Sequence, residues 1–320
     1  KRVQLKIIFL KIGEINTIGE QFHADVYIQA RWREPKLDNC QHLTDLNLSE
    51  YWNPLLIIQN LVDHTKRKKW QELSFNSRGH AFIVECRRIK GHFSETLELA
   101  EFPFDHQSLN VVVTSELSQE KLQIVEDDED ISSINVSCFV DEQEWSLFDL
   151  VECISTVTTK QFSPKRNIRF PCLQLGCYAA RRSGFFVWNV ILIMAFISTS
   201  CFTTFAVKPS LPQNRLQLSI TLMLTTKVFK LIVINNLPKI SYNTRLDRYI
   251  LFCIVFNFIV TVWHAFISRF GYDLDLQESM DNWAFLTLVL FYVLFLAIFS
   301  LIVTITVSYT LFTFYLFFFF

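Results

Sequence analysis

Two kinds of hydrophobic pattern divide the chain near residue 182. From residue 1 to 182, short runs of β-branched and aromatic residues alternate with polar ones and are separated by turn-like segments. Residues 183–320 are largely apolar and contain four stretches of the roughly 20 residues that a membrane-spanning helix needs. The pattern predicts an all-β sandwich, immunoglobulin-like, over 1–182, followed by an all-α transmembrane domain of four helices over 183–320.

The elements of each domain can be placed from the same pattern. The fourth apolar stretch carries no charge to the end of the chain, so we expect that helix to bend or to protrude from the membrane. An even number of spans puts both ends of the chain on one side. The clearest strand runs are 3–10, 22–32, 81–86, 108–115 and 168–179. The predicted helices cover about 185–207, 216–237, 249–268 and 283–310.

The second apolar stretch differs from a lipid-facing helix because polar side chains recur along it. At about 100° per residue, six of its positions fall on one stripe of a helix. This stripe is polar at both ends and apolar in the middle, which suits a water-filled path that closes midway by dewetting. The six positions are Gln217, Thr221, Leu224, Val228, Leu231 and Asn235.

The stripe alone leaves two interpretations open. Several copies around an axis would enclose a pore, whereas an ordinary buried bundle helix would also carry a few hydrogen-bonded hydroxyls. Lys227 and Lys230 lie on the flank of the stripe, where a charge is costly in a membrane. They either reach water-filled gaps between subunits or extend their amines to the membrane surface.

Composition excludes some functions and locates the first domain. The net charge of -1 and the absence of a basic stripe give no case for nucleic-acid binding. No nucleophile–base spacing, metal-ligand cluster or glycine-rich phosphate loop points to an enzyme, a metal site or a cofactor. The acidic loop 126–130 is either solvated surface or a cation-binding loop. Sequons at Asn47 and Asn135 predict glycosylation, an extracellular first domain and a multi-pass protein of the plasma membrane.

The eight cysteines form no CxxC pair, which argues against a zinc site. Cys201 and Cys253 lie in predicted membrane helices and are expected to be packing residues. The other six could include disulfides, whose pairing the sequence does not give. No signal peptide is visible at Lys1, so the sequence looks like a mature or trimmed chain.

Five short motifs occur in order along nearly the whole chain, and together they resemble the pentameric ligand-gated ion channels of the nicotinic receptor superfamily. Glu95 and Leu109 stand where most animal members have the two cysteines of a signature disulfide, so the chain resembles the branch without that bridge. The motifs are Phe102-Pro103-Phe104-Asp105 with Gln107, the strand Tyr27 to Trp32, the Trp52-Asn53-Pro54 segment, Arg181 before the first span, and the linker Leu237 to Tyr242.

The resemblance implies a small extracellular ligand bound between subunits and a pore lined by the second helix. Position by position, the resemblance places Tyr27 on one face of the ligand pocket and Gln59 on the other. Glu116 stands where the family has a tryptophan, and Phe162, in the candidate capping loop 160–167, is the remaining aromatic of the pocket. In the pore, Leu224 falls on the gate position. Gln213 and Asn214 occupy the positions that set charge selectivity, where neither the cation-selective nor the anion-selective pattern is present, so the permeant ion stays open.

The resemblance also implies a coupling cluster and a set of partners. Asp105, Arg181, Pro238 and Lys239 are expected to pass movement from the sandwich to the pore helix. The partners are four further subunits, identical or different, with membrane lipids or amphiphiles in grooves between the helices and no nucleic acid. Two alternatives stay open: a non-conducting or obligately heteromeric subunit that serves as a binding scaffold, and a proton-gated channel using His106, Glu116 or the acidic loop.

Overall fold

The computed structural model describes residues 1–38, 47–158, 168–234, 240–270 and 274–319. The chain forms two compact units. The first comprises Lys1–Leu97 and His106–Ala180, and the second comprises Glu98–Asp105 and Arg181–Phe320. The short segment Glu98–Asp105 therefore groups with the helices, although its sequence lies within the strand-rich half of the chain.

The first unit is a β-sandwich, which confirms the predicted fold of this part of the chain. One sheet has the strand order β4-β5-β2-β1-β7 with β8 paired to β1, and the other has the order β3-β6-β10-β9. The strands are β1 Arg2–Asn16, β2 Gln21–Arg33, β3 Leu56–Ile58, β4 Leu61–Phe75, β5 Ala81–Ser94, β6 His106–Ser115, β7 Gln123–Glu126, β8 Ser133–Ile134, β9 Trp145–Thr158 and β10 Phe170–Arg181. Short 3-10 helices cover Pro35–Leu37, Leu48–Glu50 and Val136–Cys138.

Alternation along the central strands builds the sandwich core. On β2, every second residue from Phe22 to Trp32 is buried, and the intervening residues face outwards. β2 pairs antiparallel with β1 and with β5, so its outward row lies between two similar rows. The buried rows of both sheets meet in one cluster around Trp32, Trp145 and Leu175.

Within its described residues, the second unit contains four helices long and apolar enough to cross a membrane, as predicted. The helices are α1 Gly184–Ala206, α2 Pro212–Ile234, α3 Arg245–Ile267 and α4 Leu274–Phe319. α1 includes a π-helical segment, Val187–Ile191, and ends in a 3-10 turn, Cys201–Ala206. A further 3-10 turn, Ser268–Phe270, follows α3. The fourth helix begins at Leu274, whereas the sequence predicted a start near 283. The prediction was late because the first turns of the helix contain three acidic residues, a composition that is typical of a loop.

The start of α3 is set by its own sequence. Thr244 is the N-cap, its hydroxyl accepts from the backbone N–H of Asp247, and the Asp247 carboxylate accepts from the backbone N–H of Thr244. This reciprocal pair is a capping box, which satisfies amide groups that a helix otherwise leaves unbonded. The cap fixes the point at which the chain enters its third span.

The described cysteines form no disulfide. Cys201 and Cys253 are buried among the helices, as expected for packing residues. Cys86, Cys138, Cys153, Cys172 and Cys177 are also free, and the structure describes all the cysteines except Cys40.

In the acidic loop, Asp128 pairs with Arg2 at 3.0 Å and Asp130 with Lys6 at 3.2 Å. These contacts tie the loop to β1.

Candidate functional site

The segment Glu98–Asp105 is folded onto the N-terminus of α3. The backbone N–H groups of Arg245 and Leu246 donate to the carbonyls of Ala100 and Phe102, at 3.0 and 3.1 Å. The peptide bond between Phe102 and Pro103 is cis. The first amides of α3 therefore find partners in this segment in addition to the capping box.

Asp105 and Arg181, two of the predicted coupling residues, form a buried ion pair. Arg181 Nε donates to Asp105 Oδ1 at 2.8 Å, and Nη2 donates to Oδ2 at 3.3 Å. The backbone N–H of Arg181 also donates to the Asp105 carbonyl at 3.0 Å. The guanidinium lies over the Phe102 ring, 4.9 Å from its centre, and that ring packs edge-on against Phe186 of α1. The pair thus joins the end of β10 to the folded segment and the first span.

Sequence reasoning missed three further members of this cluster. Glu101 forms an ion pair with Arg245 at the start of α3, and the Tyr242 hydroxyl accepts from the backbone N–H of Leu99 at 3.0 Å. The Thr244-x-x-Asp247 spacing was a detectable signal for a helix start at Arg245. Pro238 and Lys239, the other predicted coupling residues, lie outside the described residues.

α2 presents two distinct faces. Five of the six predicted stripe residues are exposed in the single chain, and Leu224 is 60% exposed. Asn235 lies outside the described residues. The Thr221 hydroxyl donates to the Gln217 carbonyl at 2.8 Å, whereas the Gln217 side chain has no hydrogen-bond partner among the residues that the structure describes. The stripe is therefore uncovered along the length of the helix.

The opposite face of α2 is buried and polar at three positions, Arg215, Ser219 and Thr226. Asn257 of α3 donates to the Thr226 hydroxyl at 3.0 Å. The Ser219 hydroxyl donates to the Arg215 carbonyl at 2.9 Å. These bonds satisfy the three buried polar side chains of α2 inside the subunit, so this face serves packing and the exposed face is left for another partner.

Arg215 ties the beginning of α2 to α4. Its guanidinium donates to Asp281 Oδ2 at 2.8 Å and to the carbonyls of Val207 and Phe205 at 2.6 and 3.2 Å. The second Asp281 oxygen accepts from Trp263 Nε1 at 3.1 Å. The Arg215 side chain is buried within the subunit, 1% exposed, so it does not belong to the exposed stripe.

Tyr27 lies on the outward face of β2, as its place in the alternation predicts. Its ring is 6.0 Å from that of Trp70 on β4, which sequence reasoning missed, and its hydroxyl donates to Cys86 Sγ at 2.9 Å. Burial and this hydrogen bond raise the pKa of the Tyr27 phenol above its ordinary value. The phenol therefore stays protonated and neutral at physiological pH.

Gln59 directly follows β3 and Glu116 directly follows β6, two strands of the other sheet, and both residues are exposed. The backbone N–H of Gln59 donates to Val112, and that of Glu116 to Leu55, at the two ends of the β3–β6 pairing. The described residues of one chain therefore do not bring Tyr27 together with Gln59 and Glu116. Phe162 is not among the residues that the structure describes.

β3, which leads to Gln59, rests on a buried ion pair. Arg87 Nη1 donates to the Leu56 carbonyl at 2.7 Å, and Arg87 Nε donates to Glu85 at 2.7 Å. Burial alone would raise the pKa of Glu85, but the Arg87 charge and a hydrogen bond from Lys69 hold it below its usual value. Glu85 therefore stays charged and anchors the arginine that holds β3.

An apolar groove of about 420 Å³ lies on the surface of the helical unit between α3 and α4. Two indole rings, Trp263 and Trp283, line it together with Met280. Tryptophan is common where a membrane meets water. The groove is therefore suited to an apolar chain or ring in the membrane.

Comparison with known proteins agrees with this arrangement. The model of the neurotransmitter-gated ion-channel ligand binding domain matches residues 1–171, and the model of the neurotransmitter-gated ion-channel transmembrane region matches residues 210–288. The chain is 22% identical over 281 residues to a probable ligand-gated ion channel 46 of Caenorhabditis elegans, covering 83% of this chain and 54% of that protein.

Two other relatives are receptor subunits. The chain is 20% identical over 279 residues to the gamma-aminobutyric acid receptor subunit gamma-3 of Homo sapiens, covering 84% of this chain and 58% of that protein. It is 21% identical over 286 residues to a gamma-aminobutyric acid receptor subunit beta of Lymnaea stagnalis, covering 83% of this chain and 55% of the relative. The chain spans a little over half the length of these relatives.

The first family model covers more than half of the chain, and the sandwich precedes four apolar helices as that family requires. The protein is a multi-pass plasma-membrane protein with an extracellular N-terminal domain, and it is not an enzyme. The chain belongs to the neurotransmitter-gated ion-channel family.

Proposed function

We propose that this chain is a subunit of a pentameric channel opened by a small extracellular ligand, with α2 of each subunit lining the pore. The observation that carries the proposal is the division of α2 into two faces. The buried face satisfies its polar groups within the subunit, and the opposite stripe keeps Gln217 exposed, its amide without a partner among the residues that the structure describes. An amide facing lipid would lose its hydrogen bonds to water, so a water-filled path is the favourable environment for this stripe.

The middle of the stripe is apolar and supports a gate. Leu224, Val228 and Leu231 are all exposed in the single chain. Five copies of each around an axis would form apolar rings, and such rings close a narrow path by expelling water. Leu224 is the proposed gate residue.

Voltage-clamp recording from cells that express the full chain alone tests the pore. Leu224→Ala should produce current without ligand, because a shorter side chain lets water enter the closed path. The matched control is Leu218→Ala, which shortens another exposed leucine about 120° around the same helix. Equal leak from both variants would contradict the assignment of Leu224.

If neither variant gives any current, although labelling shows the protein at the cell surface, a homomeric channel is excluded. The chain would then need a partner subunit, which is the second candidate function. Gln59 and Glu116, at positions where the resemblance implies aromatic residues, favour that candidate. Coexpression with a related subunit would then have to restore current.

The same proposal puts the ligand site between neighbouring subunits. One subunit contributes Tyr27 and Trp70 from its six-stranded sheet, and the next contributes Gln59 and Glu116 from its four-stranded sheet. The location of these pairs on different sheets supports a pocket built from two copies. A Tyr27→Ala variant should lose the thermal stabilisation that a small activating ligand gives the wild type, and an unchanged shift in melting temperature would overturn this site.

The cluster around Asp105 and Arg181 is the proposed route from ligand to pore. Its ion pair joins the end of β10 to the segment that caps α3, and Phe102 packs on α1. A displacement of β10 would therefore act on two helices at once.

The groove beside Trp263 and Trp283 is the proposed site of a membrane amphiphile, and bound density there would test this proposal.

A further inference from the structure

A fully buried histidine lies near the end of α3, inside a polar cluster of the helical unit. His264 is 0% exposed, and it contacts Thr204 at the end of α1 and Arg215 at the beginning of α2. Because the N-terminal domain is extracellular, the first span runs inward, and the helix ends that meet here lie on the cytoplasmic side. We name Thr204, Arg215, Trp263, His264 and Asp281 the inner cluster.

Both ring nitrogens of His264 have a partner on another helix. Nε2 lies 2.7 Å from the Thr204 hydroxyl, and Nδ1 lies 3.5 Å from Nη1 of Arg215. The Thr204 hydroxyl donates its own hydrogen to the Cys201 carbonyl, so it accepts from the ring. A guanidinium only donates, so Nδ1 accepts from it. These contacts assign a neutral imidazole with its hydrogen on Nε2.

The charges around this ring are balanced while the ring is neutral. From α1 it is faced by Thr204 and Phe205, which carry no charge, and the Phe205 ring lies 4.6 Å from it. From α2 it is faced by the Arg215 cation, and from α4 by the Asp281 anion. The two Asp281 oxygens already accept from Arg215 and from Trp263.

A proton on Nδ1 of His264 would remove this balance. The new N–H would point at a guanidinium 3.5 Å away, so a hydrogen bond would be replaced by two facing donors. Two positive charges repel at this distance, and burial strengthens the repulsion. The carboxylate of Asp281 would then face two cations. Protonation therefore favours separation of the end of α3 from the beginning of α2.

Packing alone does not account for this arrangement. An apolar ring at position 264 would also fill the space beside Phe205. His264 instead bridges a hydroxyl on α1 and a cation on α2, and the bridge to Arg215 exists only while Nδ1 is free of a proton. The contact between α2 and α3 at this level thus depends on the charge of one side chain.

We propose that the inner cluster is a proton-binding site on the cytoplasmic side, where a proton taken from water by His264 releases the beginning of α2 and reduces the current. The effect on current rests on the proposed channel function. Arg215 precedes Gln217, the first residue of the pore stripe, by two positions, so its displacement acts on the inner end of that stripe. Histidine changes its charge between about pH 5 and 8, and a buried histidine can bias an element that has two arrangements.

The first test needs no current. The melting temperature of the detergent-purified full chain is compared at about pH 7.5 and about pH 5.5. Glutamine in His264→Gln keeps one donor and one acceptor but takes up no proton, so the wild type should lose about 4 °C more on acidification than this variant. The matched control is His64→Gln, at an exposed position of β4, which should follow the wild type. Equal losses in the wild type and His264→Gln would overturn the proposal.

The second test measures current through the Leu224→Ala channel in inside-out patches. Lowering the pH on the cytoplasmic side from about 7.5 to about 5.5 should reduce the current at least about two-fold and reversibly. The added His264→Gln change should remove this inhibition, whereas an added His64→Gln should keep it. Inhibition that persists in the His264→Gln channel would overturn the site, because a packing role for His264 predicts no difference between the two variants.

The remaining outcomes are distinct. If His264→Gln does not fold, the Leu224→Ala channel alone decides, and an unchanged or increased current on cytoplasmic acidification would overturn the proposal. Absence of all current from Leu224→Ala would contradict the proposed channel, and the melting comparison would still test the proton site.

Discussion

Replacing Asp281 by Asn should destabilise the helical unit, because Asp281 neutralises a guanidinium that is almost completely buried. Arg215 is 1% exposed and Asp281 is 5% exposed. One Asp281 oxygen accepts from Arg215 at 2.8 Å and the other from Trp263 at 3.1 Å. Asparagine has one acceptor oxygen, so its amide hydrogens would face one of these two donors.

The expected cost follows from the burial of the pair. Removing one member of a buried ion pair costs about 3–5 kcal/mol. Arg215 keeps two backbone carbonyl partners, Val207 and Phe205, so we expect the lower end, about 3 kcal/mol. For a domain of this size, that loss lowers the melting temperature by roughly 6–12 °C.

Thermal melting of the detergent-purified full chain measures this effect. The matched control is Asp275→Asn, the same substitution at an exposed position of α4. It should change the unfolding free energy by less than about 0.5 kcal/mol. Arg215→Gln combined with Asp281→Asn should cost less than the sum of the single changes, because the two residues are coupled. Equal melting of Asp281→Asn and Asp275→Asn would refute the reasoning.

Three further predictions concern the extracellular side. Arg181→Gln removes the guanidinium that pairs with the buried Asp105 carboxylate, so we expect a cost of about 3–5 kcal/mol and no current, whereas Arg181→Lys should fall between the wild type and Arg181→Gln. Burial lowers the pKa of His23 from 6.5, so the folded state binds fewer protons than the unfolded one and stability should fall as pH drops below 6.5. His23→Gln should flatten that part of the melting curve against pH. Asn135, exposed and 2.6 Å from the Ser137 hydroxyl, should carry a glycan, and Asn135→Gln should abolish the corresponding glycosidase-sensitive shift on a gel.

The sandwich and the four helices were predictable because their hydrophobic patterns are local. Four of the predicted runs, 3–10, 22–32, 81–86 and 108–115, fall within β1, β2, β5 and β6, and the fifth, 168–179, begins two residues before β10. β4 was not predicted, since nine consecutive residues, 62–70, are exposed and four of them are basic. An exposed edge strand needs no apolar alternation, so its pattern does not distinguish it from a loop.

Contacts of the candidate site were predictable where a sequence motif contains the residues, and were not predictable where residues far apart in the chain meet. Asp105 and Arg181 were identified as charge partners, and the structure pairs them. The ion pair between Arg215 and Asp281 was not predicted, because the two residues are 66 positions apart in the chain. Asp281 precedes the uncharged stretch used to define the fourth helix, so hydropathy placed it in a loop. Trp70 was missed with its strand, β4.

The accessibility of α2 to a charged, water-soluble thiol reagent tests the central claim most directly. Single cysteines are introduced at Thr221 and Val228 on the stripe and at Ser219 and Thr226 on the buried face, all in the Leu224→Ala channel. Cys201 and Cys253 are buried, but Cys138 is exposed and Cys153 half-buried, so the parent channel carries Cys40→Ser, Cys138→Ser and Cys153→Ser and should then be insensitive to the reagent. A pore lined by the stripe predicts block of the current at Thr221 and Val228 and none at Ser219 and Thr226. Block at the buried-face positions alone, or at none of the four, would contradict a pore lined by this stripe.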